Sequence, residues 1–338
     1  MNGFQRVNAA LKGEWSDKRP IMLHNFMVAA KEAGFTMKQY YSNPANAAKA
    51  HIQAVEKYEL DGVLWDIDTA VLASAVGVAV DYPENEPARV HKPSLARVED
   101  IEKVEIGDIS RNERIQISVE GFRMVQKYFG NEIFLRANAD QAPFSLASMM
   151  RSPQEWMIDL MVNPQHCQTL LQKCTDACTQ FVKLLANEGA HLISNGDSSA
   201  GPEMISPEMY REFALPYEKQ IVQQAHRLGL PYMLHICGNT DVILEEMLNL
   251  DIDAVELDYK TNIYKIHQLF ADKITLSGTI DPSGIMALGT TKMVEEKAVE
   301  LLTLYKNSPR FIMNSGCALP STTPAENIKK LIEVTRRY

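Results

Sequence analysis

The sequence predicts an α/β protein, a single (β/α)8 TIM barrel domain over residues 1–338. Three observations predict it. Eight short apolar runs recur along the chain, each but the last separated from the next by a helical pattern, and such alternation implies parallel pairing. Polar residues crowd the positions just after those runs, which is where a barrel of this kind keeps its chemistry. No Gly-x-Gly-x-x-Gly follows the first run, which disfavours a dinucleotide-binding version of the runner-up, an open doubly wound sheet.

The elements follow in order. Residues 4–12 read as a short helix ahead of the first strand candidate, Pro20–His24. Asn43 before Pro44 marks a helix start, with Asn as cap and Pro at the first helical position. That helix runs to about Tyr58, and Asp61–Asp66 is the second strand. Residues 81–112 break the rhythm. Their opening, Asp81 to Pro87, is turn-rich and charged, so the stretch reads as an excursion between the second and third strands. A helix from about Glu113 to Tyr128 returns to the third strand, Ile133–Ala137. Ser152-Pro153-Gln154-Glu155 carries a capping-box signal. Between Asn163 and Asn187, Cys167, Leu170, Cys174, Cys178, Phe181 and Leu185 fall at helical spacing. Thiols on such an apolar stripe read as packed core rather than as ligands.

The fourth strand is Ala190–Ser194, ending in Asn195-Gly196-Asp197. Ser206-Pro207-Glu208 starts a long helix to about Leu228. The fifth strand is 232–237, and a helix from about Asp241 to Leu248 follows it. The sixth is Ala254–Asp258, the seventh Ile274–Gly278 and the eighth 311–317. Thr323-Pro324-Ala325-Glu326 caps the last helix by the same capping-box pattern.

Composition bounds the function. The chain is 46% hydrophobic and 23% charged, an ordinary globular balance. Its net charge is −9 with no long basic run, which argues against a nucleic-acid partner. No apolar run reaches ~18 residues, so no membrane span is expected. The N-terminus lacks the apolar core of an export signal, and five cysteines form no disulfide framework. Both point to a cytoplasmic protein with free thiols.

The strand ends offer His24 and Asn25, Asp66 and Asp68, Asn195 and Asp197, His235 and Cys237, Glu256 and Asp258, Asp281, and Cys317. His235 and Cys237 are two apart at the end of one strand, so imidazole and thiol project to one face. Cys317 ends another apolar run. If the two strands meet in one barrel, one nitrogen and two sulfurs converge, a set that suits zinc. A core histidine beside buried thiols is the plainer alternative.

His235-Ile236-Cys237-Gly238-Asn239, Ser315-Gly316-Cys317 and the Pro320-x-x-Thr323-Pro324-x-Glu326-Asn327 stretch resemble the uroporphyrinogen decarboxylase superfamily. The similarity is greatest to its branch of methylcobalamin:coenzyme M and other corrinoid-dependent methyltransferases, which carries an H-x-C…C zinc motif. It runs along almost the whole chain. The resemblance implies zinc on His235, Cys237 and Cys317, with Asp258 as an exchangeable fourth ligand and Glu256 as the fallback. It places Asp68 where the decarboxylases keep a catalytic aspartate. Asp68 and Asp197 are thus the catalytic candidates, and His24, Asn25 and Asn195 are the substrate-binding ones, all expected around one mouth.

The arginine-rich N-terminal motif of the decarboxylases is missing, since the matching stretch reads Leu23 to Ala30. A tetrapyrrole with eight carboxylates needs cationic clamps. The expected activity is therefore methyl transfer between a corrinoid cobalt, carried as methylcobalamin on a corrinoid-binding protein, and a small molecule. That molecule is a thiol acceptor such as coenzyme M, or a methylated donor such as a methoxyaromatic. Decarboxylation and non-catalytic binding of a corrinoid or tetrapyrrole are the alternatives, and a homodimer is compatible with the sequence.

Overall fold

Strand alternation decides this architecture. The computed structural model describes residues 1–338. Its strands are β1 (Gly62–Trp65), β2 (Ala79–Asp81), β3 (Arg89–Lys92), β4 (Phe134–Gln141), β5 (Leu192–Gly196), β6 (Tyr232–Ile236), β7 (Ala254–Leu257), β8 (Thr275–Ser277) and β9 (Phe311–Ile312). Seven of them form one curled, parallel sheet in the order β1-β4-β5-β6-β7-β8-β9. Helices fill the connections.

The two faces of that sheet differ. Leu135, Ile193, Leu234, Val255, Leu276 and Phe311 pack with helix residues such as Phe181 and Leu301 in one large apolar core. Their strand neighbours Phe134, Leu192, Met233, Ala254 and Ile312 point the other way, as the period of two requires. These pack instead against Val7, Ala10 and Leu11 of the N-terminal helix Gly3–Lys12. That helix plugs one end of the inner face. Two residues further along each strand, the inner face turns polar: Arg136, Ser194, His235, Glu256 and Asn314. The expected helix 4–12 thus has a specific task, which is to leave only the C-terminal strand ends open for chemistry.

The expectation of eight strands is corrected at residues 20–24. This segment makes a single parallel bridge, Ile21 to Met313. Side chains take the backbone donors that would extend it. The Ile21 N–H donates to Asp61 Oδ2 at 2.8 Å and the His24 N–H to Asn314 Oδ1 at 2.9 Å. Pro20 has no N–H to offer. The segment still bonds to both edges of the sheet: the Met22 N–H donates to the Met313 carbonyl and the Asp61 N–H to the Ile21 carbonyl.

Other elements shift for local reasons. The expected helix 206–228 is interrupted by a widened turn at Tyr210–Ala214 before Leu215–Arg227. Pro216 cannot donate back to the preceding turn, so the ladder opens there. The expected helix from Asp241 shortens to Leu244–Met247. The last helix, Ala325–Arg337, has no side-chain cap, and the Thr323 hydroxyl finds no partner. Ser152, by contrast, does accept the Glu155 N–H at the start of Pro153–Val162.

The excursion after β1 holds the antiparallel β2–β3 hairpin. Its Leu95, Ile101 and Ile109 join the same core as Leu135. The helix Pro164–Asn187 buries Cys167, Cys174 and Cys178 as packed core, as expected. No helix is long and apolar enough to cross a membrane.

Candidate metal centre and substrate cavity

Three side chains meet at the polar end of the inner face. His235 Nε2 lies 3.0 Å from Cys237 Sγ, the two sulfurs of Cys237 and Cys317 are 3.6 Å apart, and Cys317 Sγ is 3.8 Å from His235 Nε2. All three donor atoms fall within 4.8 Å of one another. β6 supplies His235 and places Cys237 one step beyond its end, on the same face. Cys317 arrives on the turn after β9. That turn is pressed against β7: a Cβ on Gly316 would sit 2.9 Å from the Leu257 carbonyl oxygen, so only glycine fits. The Gly316 N–H donates to the Ile280 carbonyl and the Ser315 hydroxyl to the Cys317 carbonyl, which holds the thiol in place. Gly238, at φ 81°, turns the chain immediately after Cys237.

The imidazole is oriented from behind. His235 Nδ1 lies 3.0 Å from the Glu256 backbone carbonyl and 3.3 Å from its Oε1. A carbonyl only accepts, so Nδ1 carries the proton and Nε2 is left facing the sulfurs. Without a metal, the trio shares its protons unequally. Cys237 is pushed down to about 3, chiefly by the hydrogen bond from Cys317, with burial opposing and His235 helping. Burial alone would lower His235, but Cys237 and Glu256 outweigh it and hold it up at about 9. Cys317, which donates to Cys237 and is itself buried, is raised. A nitrogen and two sulfurs, one already poised as thiolate, fit a zinc ion with an open fourth position.

The expected fourth ligands are not in this group. Glu256 is fully buried on the Nδ1 side of His235. Its oxygens are held by Arg136, by Asn314 Nδ2 at 3.0 Å and by His24 Nδ1 at 3.1 Å. Arg136 also donates to Ser194 at 2.8 Å. Burial would raise Glu256, but Arg136 and His24 overcome it and keep the group well below the usual carboxylate range. It is a positioning group behind the histidine. Asp258 accepts the Gly238 N–H at 3.0 Å and the Lys260 N–H at 3.1 Å, so both its oxygens pin loops.

Beside the sulfurs opens a cavity of ≈ 250 Å³, lined among others by His24, Asp66, Arg136, Asn138, Asp140, Gln141, Ser198 and Pro87. His24 spans two carboxylates, Glu256 at 3.1 Å and Asp66 Oδ2 at 3.3 Å. Both neighbours only accept, so both ring nitrogens carry protons. Burial opposes that charge, but the two carboxylates raise His24 overall. Pro87 brings the excursion to the cavity wall.

Of the expected mouth residues, only His24 lines this cavity. Asn195 and Asp197 fall on the other side of the sheet, because Ser194 and Gly196 take the inward positions of β5. Asn195 donates to the Ala139 carbonyl at 2.7 Å and accepts from Tyr232 at 3.1 Å. Asp197 accepts the Ser145 N–H at 2.7 Å, while its Oδ2 has no partner. Asp68 is buried, paired with Arg114, and accepts the Ala70 N–H at 2.8 Å. Asn25 is buried beneath the rim, its Nδ2 without a partner.

Asp66, Arg136, Asn138 and Asp140 take the missing places. The last three alternate along β4, which continues four residues past the expected end at Ala137. Arg136 lies within the expected strand, whereas Asn138 and Asp140, at i, i+2 spacing from it, fall beyond the end that the apolar run marks. Asp140 adopts φ 60° at the register shift against β5 and accepts the Leu72 N–H at 2.7 Å. Burial raises it well above the usual carboxylate range.

The family model described as uroporphyrinogen decarboxylase (URO-D) matches residues 2–338. A methylcobamide:CoM methyltransferase, MtbA, of Methanosarcina acetivorans is 28% identical over 340 residues, covering 99% of this chain and 97% of its own. A uroporphyrinogen decarboxylase of Coxiella burnetii is 24% identical, covering 88% and 83%. Among solved structures, a methyltransferase from Methanosarcina mazei superposes with TM-score 0.92 at 22% identity, covering 100% of this chain and 99% of that one. At that identity the superposition speaks for the fold.

Proposed function

The chain belongs to the uroporphyrinogen decarboxylase family, and from that premise we propose that it moves a methyl group between a corrinoid cobalt and a small substrate held at a zinc ion. The observation that carries this is the convergence of His235 Nε2 with the sulfurs of Cys237 and Cys317. In this reading residues 20–24 complete a closed (β/α)8 barrel, since they bond both sheet edges. The mouth of that barrel is the face onto which a corrinoid protein docks. The methyltransferase relatives, 27–28% identical over nearly the full chain, support the same direction.

The chain's own residues divide the work. His235, Cys237 and Cys317 hold the ion. When bound, it supplies a Lewis acid that favours the thiolate of an acceptor or polarises a methyl donor. Glu256 fixes the His235 ring through Nδ1, and Arg136 compensates the Glu256 charge. His24 carries a proton between Glu256 and Asp66 at the cavity edge, its two N–H groups tying those carboxylates in place. The cavity, ≈ 250 Å³, suits a small molecule rather than a tetrapyrrole.

Uroporphyrinogen decarboxylation is the competing reading. The single arginine lining the cavity is already paired with Glu256, so no free guanidinium awaits a carboxylate. The test mixes zinc-loaded enzyme with methylcobalamin and a thiol panel, then with Co(I) cobalamin and methylated donors, following cobalamin absorbance. Methyl transfer is expected, with Cys237→Ala lowering it by about 100-fold or more while leaving corrinoid docking intact. No spectral change in either direction, with carbon dioxide released from uroporphyrinogen, would overturn the reading.

A further inference from the structure

We propose that the cavity selects a substrate whose non-reacting part carries a hydrogen-bond donor or a positive charge, and that it rejects a sulfonate or carboxylate there. This rests on the reading of the cavity as the substrate site. The cationic side chains that line the cavity are already engaged. Arg136 spends its guanidinium on Glu256 and Ser194. His24 spends both nitrogens on Glu256 and Asp66. No lysine lines the cavity. An anion on the non-reacting end would therefore lose its hydration without gaining an unpaired guanidinium or ammonium, a costly arrangement in a confined site.

The free acceptors tell the same story. Asp66 is 4% exposed, its Oδ2 faces His24, and its Oδ1 has no partner within the protein. Gln141 donates its amide N–H groups to the Thr69 carbonyl and to Asp140 Oδ1, each at 3.2 Å, leaving its own carbonyl oxygen free. Asn138 contributes one amide donor, its carbonyl facing Ser194 at 3.4 Å. A carboxylate oxygen on a buried residue and an amide oxygen, neither with a donor from the protein, call for N–H or O–H groups on the ligand. An ammonium would also meet the Asp66 charge. A site built to receive such donors discriminates strongly against an analogue lacking them.

Three two-carbon thiols of matched length separate these cases: cysteamine, 2-mercaptoethanol and 2-mercaptoethanesulfonate. Their affinities for the zinc-loaded enzyme are read by isothermal titration, and methyl transfer from methylcobalamin is followed in parallel. Cysteamine is expected to bind tightest, about 10-fold or more above the sulfonate, with the alcohol between them. Asp66→Asn is expected to erase most of the cysteamine advantage while leaving the alcohol within about twofold. The ranking in the unmodified enzyme stands as a test even if that variant folds poorly. Equal or tighter binding of the sulfonate, or no binding by any of the three, would overturn the selectivity. Methyl transfer without the expected ranking would sink this inference and leave the methyltransferase reading standing. The expected ranking without transfer in either direction would do the reverse.

Discussion

Glu256 and Asp197 are both buried carboxylates at the C-terminal ends of sheet strands, yet they sit on opposite faces and behave oppositely. Glu256 points inward, where Arg136, His24 and Asn314 converge on it. Asp197 points outward to the helices and shares its surroundings with Glu218, another buried carboxylate. Burial pushes Asp197 up to about 6, against the Ser145 hydrogen bonds that lower it. Glu218 is raised too, first by burial and then by Asp197, although Tyr210 donates to it at 2.6 Å. Asp197 Oδ2 and Glu218 Oε1 receive no other donor from the protein, so these two oxygens can bond only to each other, and only while one of the carboxyl groups holds a proton. Equal burial therefore yields opposite shifts from the usual carboxylate range, and the presence of an arranged cation decides which.

Arg136→Met should have the largest effect on that contrast. It leaves Glu256 buried without its guanidinium, a loss of about 3–5 kcal/mol. A falling urea midpoint and melting temperature would report it. An unchanged midpoint would break the comparison, because Glu256 would then need no cation.

Glu256→Gln comes next. The amide still accepts hydrogen bonds but strands the Arg136 charge and loosens His235. Zinc affinity should fall about 10–100-fold, measured by competition with a chelator. The pH dependence has a definite sign. The folded protein holds Glu256 below its unfolded value near 4.5, so its contribution is present above that pH. It is lost as pH falls further, and E256Q should flatten the acid limb of stability.

Asp197→Asn should move the other way. Between pH 3.8 and about 6 the folded chain holds a proton that the unfolded chain releases. Stability therefore declines as pH rises through that window, and the full penalty is present above it. The asparagine can still accept from Ser145 and can donate toward Glu218. A gain of about 1–3 kcal/mol is expected at pH 8, fading by pH 4, in melting curves taken at both. A loss of stability at pH 8 would mean the pair is not strained by charge.

Cys178→Ala is the smallest change. Its thiol packs in the helix layer and donates to the Gln141 carbonyl at 3.2 Å, far from any metal role. A cost of about 1 kcal/mol is expected, with zinc stoichiometry unchanged. A drop in bound zinc would blur the line between the two faces.

Much of this molecule was legible before its structure. Apolar runs located seven strands, and Asn43 with Pro44, and Ser152 with Glu155, located helix starts. Helical spacing on Pro164–Asn187 places Cys167, Cys174 and Cys178 in the core. His235 and Cys237 are legible as a pair because i, i+2 spacing on a strand survives in any register, and Cys317, at the end of another apolar run, joins them through the barrel fold and the family resemblance.

Tertiary structure alone decided the rest. Strand length beyond an apolar run depends on neighbours, so β4 carries Asn138 and Asp140 past the expected end and into the cavity beside Arg136, which lies within the expected strand. A polar residue after a strand can face either side, and only the register of β5 sent Asn195 and Asp197 to the helices. Segment 20–24 became a bridge because Asp61 and Asn314, distant in the chain, took its donors. Glu256 became a support for His235 rather than a ligand because Arg136 and His24 reach it first. Local pattern determines which side chains are available on a strand. The partners that claim their charges and hydrogen bonds come from other strands, and those meet only when the sheet curls.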